Sequence, residues 1–225
     1  MTPTRYNTIQ LTNSGTMQWY ALPIHQLTQI QLQFIIPYVG QLFYNNKTHF
    51  LQYIQYNKSI FDSLYNSIQH VTSLLNRVIG QYNYILFNYD INDMNHINEL
   101  QCIGVVGIKA DVEQLQANQS SVECGYLLDS NYTGYGIVYI TLLYSIQQLF
   151  MHSLQINTIE LHTHKHNRKS VSVAHRLQFV LDMKRSTLPT LQQPPIDVYV
   201  LHRQTYDELY NQHSKLTDNS QTTCK

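Results

Sequence analysis

The sequence predicts a mixed α/β (α+β) fold in which helices pack on the faces of one sheet. Three observations lead to this prediction. The chain has 225 residues and a hydrophobic content of 43%, which is enough for one packed core. No repeat period or low-complexity linker divides it. In its second half, short apolar runs that suit strands alternate with longer runs of helical periodicity, which is typical of a sheet covered by helices. We therefore expect a single domain over residues 1–225.

The N-terminal segment predicts a hairpin followed by a helix. The runs Thr8–Leu11 and Met17–Ala21 flank a turn at Asn13-Ser14-Gly15, which is a hairpin signal. Beyond Pro23, apolar residues recur at helical spacing. This helix should end before Pro37, because the residue that precedes a proline is disfavoured in the helical conformation.

The rest of the chain predicts more helices and then an alternation of strands and helices. Apolar residues from His49 to Arg77 recur mostly at three- and four-residue steps, which indicates one or two helices, so the helical segment spans residues 24–81. The later elements are, in chain order, the strands Tyr82–Asn88 and Gln101–Ala110, which the polar turn Asp90–Asn98 joins, the strand Val122–Leu128, a helix from about Gly136 to Ser153, the strand Thr158–His164, the helix Arg168–Leu177, the strand Phe179–Arg185 and the strand Asp197–His202.

The charge balance excludes several classes of protein. Lys+Arg and Asp+Glu number 14 each, so the formal net charge is +0, whereas a dedicated nucleic-acid binder usually has a basic excess. The N-terminus lacks the apolar core of a signal peptide, and the longest apolar stretch, Ile137–Ile146, is too short to span a bilayer. We therefore expect a soluble, cytoplasmic protein that binds neither nucleic acid nor a membrane.

Cysteine and histidine do not predict a metal site. Cys102 and Cys124 lie in apolar runs, where a cysteine usually behaves as a small buried hydrophobe. His162, His164 and His166 alternate, so a continuing strand would place all three on one face. Imidazole is a common zinc ligand, but no carboxylate or cysteine completes a set with ligand spacing. We therefore favour a polar, partly exposed strand face and expect no metal.

A glycine-containing turn is the first feature that indicates a ligand. The strand that ends near Leu128 leads into a turn with Gly134 and Gly136, and a long apolar helix follows. Glycines at such a junction let backbone N–H groups turn toward an anion, and the helix N-terminus adds a favourable dipole. A phosphate or pyrophosphate is the natural ligand, although a plain tight turn would explain the glycines about equally well. The turn lacks the third glycine of a dinucleotide fingerprint and the Gly-Lys-Ser/Thr of a P-loop.

Further motifs occur in order around this turn and resemble those of the GNAT family of N-acetyltransferases, most closely its Rim-type branch, which acetylates the N-termini of ribosomal proteins. The resemblance covers roughly residues 101–204. Its motifs are the strand Ile103–Ile108, the strand signature Cys124–Leu128, the phosphate motif from Asn131 to Gly136, the residues Asn167, Ser170, Val173, Arg176 and Phe179 of an N-x-x-S-x-x-V-x-x-K/R-x-G-F stretch, and the closing strand Asp197–Leu201. Gln178 stands where this family usually has glycine.

The resemblance implies a mixed, mostly antiparallel sheet whose fourth and fifth strands splay apart to hold acetyl-CoA, with no metal. The pyrophosphate would rest on backbone amides of the turn, and the pantetheine arm would pair with the preceding strand. Asn167 would hydrogen-bond to that arm, and Ser170 would lie close to the sulfur. The implied cofactor-binding residues are Tyr126, Leu127, Leu128, Tyr132, Thr133, Gly134, Tyr135, Gly136, Ile137, Asn167 and Ser170.

Acetyl transfer to an amine needs a base for the ammonium and is helped by an acid for the leaving thiolate. Glu123 is the first candidate for the base, because it begins the strand that would line the cleft, although an exposed strand-edge carboxylate is the other interpretation. Glu160 acting through water, or a water chain, stays open, although a structural pair of Glu160 with a Lys or His is the favoured interpretation of that residue. Ser170 is the candidate acid, with an ordinary serine in the first helical turn as the alternative. Pro189 occupies the place where some Rim-type enzymes carry an acidic residue.

The implied function is direct acetyl transfer from acetyl-CoA to a primary amine, with the N-terminal α-amine of a protein or peptide as the expected acceptor. Acetylation of a small-molecule amine, such as an antibiotic or a polyamine, is a second hypothesis. A catalytically silent, CoA-binding regulatory protein is a third, because Asn131, Gln178 and Pro189 replace more usual residues. The sequence leaves the oligomeric state open, a homodimer included.

Overall fold

One sheet contains every strand of the described chain. The computed structural model describes residues 6–13, 17–53, 58–77, 82–93, 98–109, 120–186 and 195–211. In chain order its elements are β1 (Ile9–Thr12), β2 (Gln18–Pro23), α1 (Gln29–Asn45), α2 (Lys47–Tyr53), α3 (Leu64–Arg77), β3 (Tyr84–Phe87), β4 (Cys102–Lys109), β5 (Ser121–Leu128), α4 (Ile137–His152), β6 (Thr158–His164), α5 (Arg168–Arg176), β7 (Val180–Leu181), β8 (Ile196–His202) and α6 (Arg203–Tyr206).

The strand order of the 8-stranded sheet is β1-β2-β3-β4-β5-β6-β8-β7. Only the β5–β6 pair is parallel among the described strand pairs, and the others are antiparallel. The predicted mixed and mostly antiparallel sheet is therefore confirmed.

The two faces of the sheet carry separate hydrophobic cores. On one face, α4 and α5 cover residues that include Trp19, Val122 and Leu161. On the other face, α1 and α3 cover residues that include Leu22, Ile85 and Leu127. Burial of these apolar surfaces is the main driving force that holds the helices on the sheet. Below, the glycine-loop side means residues 129–136 with α4 and α5, and the helical side means α1, α2 and α3 with the sheet face that they cover.

Helix α1 does not end before Pro37, so that prediction was wrong. The helix runs from Gln29 to Asn45 with Pro37 inside it. Pro37 is exposed, as is Gln33, whose carbonyl loses its helical partner because proline has no N–H, and water can hydrate that carbonyl. Burial of the opposite face of α1 against the sheet compensates.

The strand predicted over Phe179–Arg185 is also shorter than expected. It forms β7 at Val180–Leu181 only. The Asp182 carboxylate accepts hydrogen bonds from the backbone N–H groups of Lys184 at 3.0 Å and Arg185 at 3.3 Å. Such a local side-chain turn competes with strand pairing and ends the strand.

No helix of the described chain is long and apolar enough to cross a membrane.

Candidate functional site

The parallel strands β5 and β6 separate halfway along their length. Their pairing runs from Ser121↔Thr158 to Cys124↔Leu161. Beyond this point β5 continues to Leu128 beside β4, and β6 continues to His164 beside β8. A V-shaped opening therefore lies between residues that follow Cys124 and Leu161. It corresponds to the splayed strands that the resemblance implies, which are the fifth and sixth strands of this chain.

A cavity of about 940 Å³ occupies this opening and extends onto both faces of the sheet. Its size lies within the usual range of ligand pockets, roughly 300–1,000 Å³. On the glycine-loop side its lining includes Gly134, Gly136 and Ser170, and on the helical side it includes Val39 and Phe43. The cavity thus connects the two sides through the gap between the strands.

The glycine turn forms one end of the cavity. Gly134 and Gly136 have φ angles of 91° and 79°, in the left-handed region that favours glycine. Gly136 is the N-cap of α4 and gives that helix no side-chain cap. Apart from adjacent residues, no atom of the described chain would lie within 4 Å of a Cβ on either glycine. The Asn13 side-chain amide donates to the Tyr135 carbonyl at 2.9 Å. Uncapped N–H groups at a helix N-terminus beside open space fit an anion such as a pyrophosphate.

Two residues that the sequence did not single out also hold this turn. Asn46, buried at the end of α1, accepts a hydrogen bond from the backbone N–H of Ser130 at 3.3 Å. Lys169 donates to the Thr133 hydroxyl at 3.4 Å. An asparagine just after a helix is a C-cap signal, but nothing in the sequence predicts its contact across 84 positions.

Asn167 and Ser170 lie at the start of α5 and line the cavity. Asn167 is the N-cap, and its side chain accepts from the Ser170 N–H at 3.3 Å. The hydroxyl of Tyr126 is buried nearby and has no partner at hydrogen-bonding geometry in the described part of the chain. Burial raises the pKa of Tyr126, and the Ser170 side chain opposes that rise. A buried hydroxyl without a partner in a cavity wall favours a polar ligand there.

Glu123 faces the helical side of the opening. It is the register partner of Lys109 on β4, and the Lys109 ammonium donates a hydrogen bond to its carboxylate at 2.9 Å. The Glu123 side chain is 37% exposed to solvent. Gly125 and Leu127 follow it on the same face of β5, and all three line the cavity.

Glu160 is the register partner of Glu123 on β6, but its surroundings differ. Its carboxylate accepts hydrogen bonds from Ser121 at 2.5 Å, Arg185 at 2.6 Å and His162 at 2.9 Å. Burial alone would raise the pKa of Glu160, but these hydrogen bonds lower it to about 2. The carboxylate is therefore ionised and fully engaged, which makes it a poor proton acceptor.

The helical side of the cavity is mostly apolar. Ile24, Val39, Phe43 and Val71 line it, and His49 of α2 adds an imidazole. Burial, and after it the positive charge of Lys169, lowers the pKa of His49. This imidazole therefore stays neutral near physiological pH.

Two cysteines of the described chain lie in its interior. Cys102 and Cys124 are buried, as predicted. Burial raises the pKa of Cys102 to about 12 and that of Cys124 further, so neither is a thiolate nucleophile at neutral pH. Within the described ranges, no group of three His, Cys, Asp or Glu residues could hold a metal ion.

Most of the predicted site residues meet at this cavity. The lining includes Glu123, Tyr126, Leu127, Leu128, Thr133, Gly134, Gly136, Ile137, Asn167 and Ser170. Tyr132 and Tyr135 belong to the turn but are not among the lining residues, and the side chain of Tyr135 points into solvent with 47% exposure. Pro189 lies outside the described residues.

A protein-family comparison matches more than half of this chain. A family model described as an acetyltransferase (GNAT) domain covers residues 41–180. No curated protein matches the sequence.

Solved structures with the same fold include several acetyltransferases at low sequence identity. RimL, a ribosomal L7/L12 alpha-N-protein acetyltransferase in complex with coenzyme A, is similar with a TM-score of 0.61 and 18% identity, over 88% of this chain and 99% of that chain. A ribosomal-protein-S5-alanine acetyltransferase from Vibrio fischeri is similar with a TM-score of 0.59 and 16% identity, over 86% and 96%. The microcin C7 self-immunity acetyltransferase MccE, in complex with acetyl-CoA and AMP, is similar with a TM-score of 0.58 and 16% identity, over 82% and 92%.

Proposed function

Because this chain belongs to the GNAT family and is an acetyl-CoA-dependent N-acetyltransferase, we propose that its acceptor is the N-terminal α-amine of a protein or peptide. The observation that carries this proposal is the continuous cavity, which joins the glycine turn to an open, mostly apolar space on the helical side. We take residues 1–225 as one acetyltransferase domain, with residues 24–81 on the acceptor side and residues 101–204 as the acetyl-CoA-binding core. We place the protein in the cytoplasm, where its two buried thiols would stay reduced.

The shape of the cavity supports one path for the co-substrate. The amides of residues 132–137 would hold the pyrophosphate, because Gly134 and Gly136 leave open space before α4. The pantetheine arm would lie beside Tyr126–Leu128, where β5 has β4 on one edge and the opening on the other. The Asn167 side chain would hydrogen-bond to this arm. Bound acetyl-CoA supplies the thioester whose acetyl carbon accepts the amine nitrogen.

Two residues on opposite faces of the sheet are proposed for the chemistry. Glu123, on the helical side, would attract the ammonium of the acceptor and take its first proton, directly or through water. An α-ammonium has an ordinary pKa of about 8, so it must lose this proton before it can attack. Ser170, on the glycine-loop side, would hydrogen-bond to the departing thiolate and give it the hydroxyl proton, which the serine would regain from a solvent water as the thiol leaves. The amine would thus arrive from one face and the thiol would leave on the other.

The charges of the lining favour a peptide terminus over a polyamine. Among the described lining residues, Glu123 is the only carboxylate, whereas Lys109, Arg168, Lys169 and Arg176 are cationic. A polycationic acceptor would be repelled by this balance. A peptide N-terminus carries a single ammonium, and its following side chains could use the apolar helical side.

A small-molecule amine is the second candidate acceptor. The structural likeness to MccE, whose structure contains AMP beside acetyl-CoA, supports it. The cationic residues of the lining would suit an amine that also carries a phosphate or carboxylate. A silent CoA-binding protein is the third candidate, and it differs from the other two by the absence of any turnover.

The test is release of CoA thiol from acetyl-CoA over a panel of acceptors, with products identified by mass spectrometry. The panel contains peptides that begin with Ser, Ala, Gly or Met, the same peptides with a blocked N-terminus, spermidine, and small amines with and without a phosphate. We expect release with free peptides and none with blocked ones. Turnover confined to small amines would support the second candidate. Binding of acetyl-CoA without release would support the third, and no binding in calorimetry would refute the cofactor assignment.

Variants then test the roles of Glu123 and Ser170. Glu123→Gln should lower kcat, and Lys109→Met serves as its control, because that variant breaks the ion pair and keeps the carboxylate. Ser170→Ala should lower kcat less. Both roles would be wrong if turnover were unchanged in both variants.

A further inference from the structure

His162 lies at the point where the two parallel strands separate. The last β5–β6 register pair is Cys124↔Leu161, so His162 is the first residue of β6 beyond it. It lines the cavity, and its side chain is 39% exposed to solvent. Side chains of a strand alternate between faces, so His162 shares the face of Glu160 and hence that of Glu123, the register partner of Glu160. The imidazole therefore lies on the side from which the acceptor amine is proposed to arrive.

Glu160 fixes the orientation and the tautomer of this imidazole. Nε2 of His162 lies 2.9 Å from the Glu160 carboxylate, which Ser121 and Arg185 also hold in place. An ionised carboxylate can only accept hydrogen bonds, so Nε2 must carry the proton. In the neutral ring, Nδ1 then keeps a free lone pair. A carboxylate, an oriented imidazole and an open cavity are the arrangement that general bases share in other enzymes.

Amide formation requires two protons to leave the amine nitrogen. The first leaves the ammonium before attack. The second leaves when the nitrogen lone pair bonds to the acetyl carbon and the carbon–sulfur bond breaks, with its electron pair going to sulfur. One of the two protons ends on sulfur and the other in solvent. A single base that has accepted the first proton can accept the second only after it has released the first to solvent.

We propose that His162, oriented by Glu160, accepts the second proton at Nδ1 as the nitrogen bonds to the acetyl carbon. This inference rests on the proposed function and deepens it. Glu123 takes the first proton. It lies within the paired segment of β5 and β6, whereas His162 lies just beyond the last pair, at the opening between the two strands. His162 is the catalytic residue of this pair, and Glu160 is its positioning residue.

Other charged groups share the cavity or the hairpin with this pair. The cavity is also lined by Glu123 of β5, Lys109 of β4, His164 of β6, and Arg168 and Lys169 of α5, and the hairpin beyond Glu160 contains Arg185 and Asp182. Arg185 contacts Glu160 and Asp182 rather than His162. Because Arg185 also holds the Glu160 carboxylate, a variant of Arg185 would disturb the imidazole indirectly and is not a control for it.

The first test needs no acceptor. Long-range proton–nitrogen NMR spectra of the full chain with labelled histidine report the tautomer of each neutral ring, and the loss of one signal set in His162→Gln assigns His162. We expect the Nε2–H form in the wild type, also with CoA bound. In Glu160→Gln the Nδ1–H form should become populated, whereas in Glu208→Gln, which changes an exposed carboxylate hydrogen-bonded to Gln204, the tautomer should stay unchanged. An Nδ1–H form in the wild type, or no response to Glu160→Gln, would overturn the proposal.

The second test is kinetic and uses the peptide that reacts fastest in the thiol-release panel. His162→Gln should lower kcat roughly 100-fold, in line with the contribution of a general base, while KM for acetyl-CoA changes less than about threefold. Glu160→Gln should lower kcat about tenfold or more. The matched control His164→Gln, which changes a neighbouring imidazole that also lines the cavity, should keep kcat within about threefold of the wild type.

The two tests separate this inference from the function on which it rests. If the wild type releases no thiol with any amine, the proposed function fails, and the tautomer still decides whether Glu160 orients His162. If the wild type is active but His162→Gln matches His164→Gln in kcat, only the role of His162 fails.

Discussion

The two sides of the cavity are built in different ways. The glycine-loop side comes from one stretch of chain, because two strands, a turn with two glycines and two helices all lie between residues 121 and 176. The helical side combines helices from residues 29–77 with faces of the strands β2 to β5, which come from before and after these helices and extend from residue 22 to residue 127. Local backbone requirements define the first, whereas long-range packing defines the second. This difference decides which side a sequence can reveal, and it leads to different expectations for substitutions.

Replacement of Gly136 should have the largest effect, because a local backbone requirement leaves no alternative conformation. Gly136 has a φ angle of 79°, where a β-branched residue is strongly disfavoured. We expect Gly136→Val to cost about 1–3 kcal/mol of unfolding free energy. It should also weaken CoA binding about tenfold or more, which corresponds to ~1.4 kcal/mol. Urea unfolding and calorimetry measure the two effects.

Gly136→Asn is the matched control for this substitution. Asparagine adds a side chain of similar size but tolerates the left-handed region much better than valine. Its loss of stability and of CoA affinity should be clearly smaller. Equal losses in the two variants would show that the added volume matters rather than the backbone conformation.

Asn46 joins the two sides, so its replacement should affect both. Its buried side chain donates to the Leu42 carbonyl at 2.9 Å and accepts from the Ser130 N–H. We expect Asn46→Ala to cost about 1–3 kcal/mol of unfolding free energy, because it leaves buried polar groups without partners. CoA affinity should fall as well, since the turn loses a support. The neighbouring Asn45 is exposed, and Asn45→Ala should change neither quantity. A loss of stability without a loss of affinity would show that the sides are independent.

Asn46 also illustrates how far the sequence could predict this molecule. The glycine turn, the Asn167 cap and most strand positions were predictable, because each depends on residues a few positions apart. The hydrogen bond from Ser130 to Asn46 spans 84 positions and leaves no periodic or local pattern. The same holds for two partners of Glu160, because Ser121 lies 39 and Arg185 lies 25 positions away, whereas His162 is a neighbour on the same strand.

The course of α1 through Pro37 has a related explanation. Sequence rules for proline describe the intrinsic preference of the backbone and predict an end to the helix. They do not include the apolar face of α1 that is buried against the sheet, which stabilises the helix across the missing hydrogen bond. Predictions on the helical side therefore fail where tertiary packing overrides local preference.

Lys169 should matter mainly for the co-substrate, through charge rather than shape. Its ammonium lies at the Thr133 hydroxyl beside the glycine turn. We expect Lys169→Met to weaken CoA binding roughly three- to tenfold at low salt, and less at high salt because ions screen exposed charges. The pKa of His49, which Lys169 helps to lower, should rise in this variant. Lys165→Met removes an exposed lysine from the turn between β6 and α5 and should leave CoA affinity unchanged. An equal loss of CoA affinity in both variants would argue for a general charge effect.

The free energy of unfolding should fall in acid because Glu160, on the same sheet face as Glu123, becomes protonated. Hydrogen bonds lower the folded-state pKa of Glu160 to about 2, well below the ordinary value of about 4.3 in an unfolded chain. The stabilisation is therefore complete above about pH 5 and is lost as the pH falls toward 2. Urea unfolding at pH 6 and pH 3 should show a smaller loss in Glu160→Gln than in the wild type. Glu208→Gln, which changes a more exposed carboxylate, should lose as much as the wild type does.

The smallest effect is expected at the end of α5, where the sequence departs from the glycine that its family usually has. Gln178 has a φ angle of 63° and is exposed, so its side chain gains nothing there while its backbone is strained. The Phe179 N–H donates to the Ala174 carbonyl at 2.9 Å and the Gln178 N–H to the His175 carbonyl at 3.0 Å, which is the hydrogen-bond pattern of a Schellman motif. That motif needs a left-handed residue at this position, whatever its side chain.

We therefore expect Gln178→Gly to raise the free energy of unfolding by about 0.5–1 kcal/mol, since relief of strain exceeds the greater entropy of glycine in the unfolded chain. Thermal and urea unfolding should both show the increase, with CoA affinity unchanged. Gln178→Ala removes the same side chain but keeps a Cβ in the left-handed region, so it should give no increase. A gain of equal size in both variants would locate the strain in the glutamine side chain and not in the backbone.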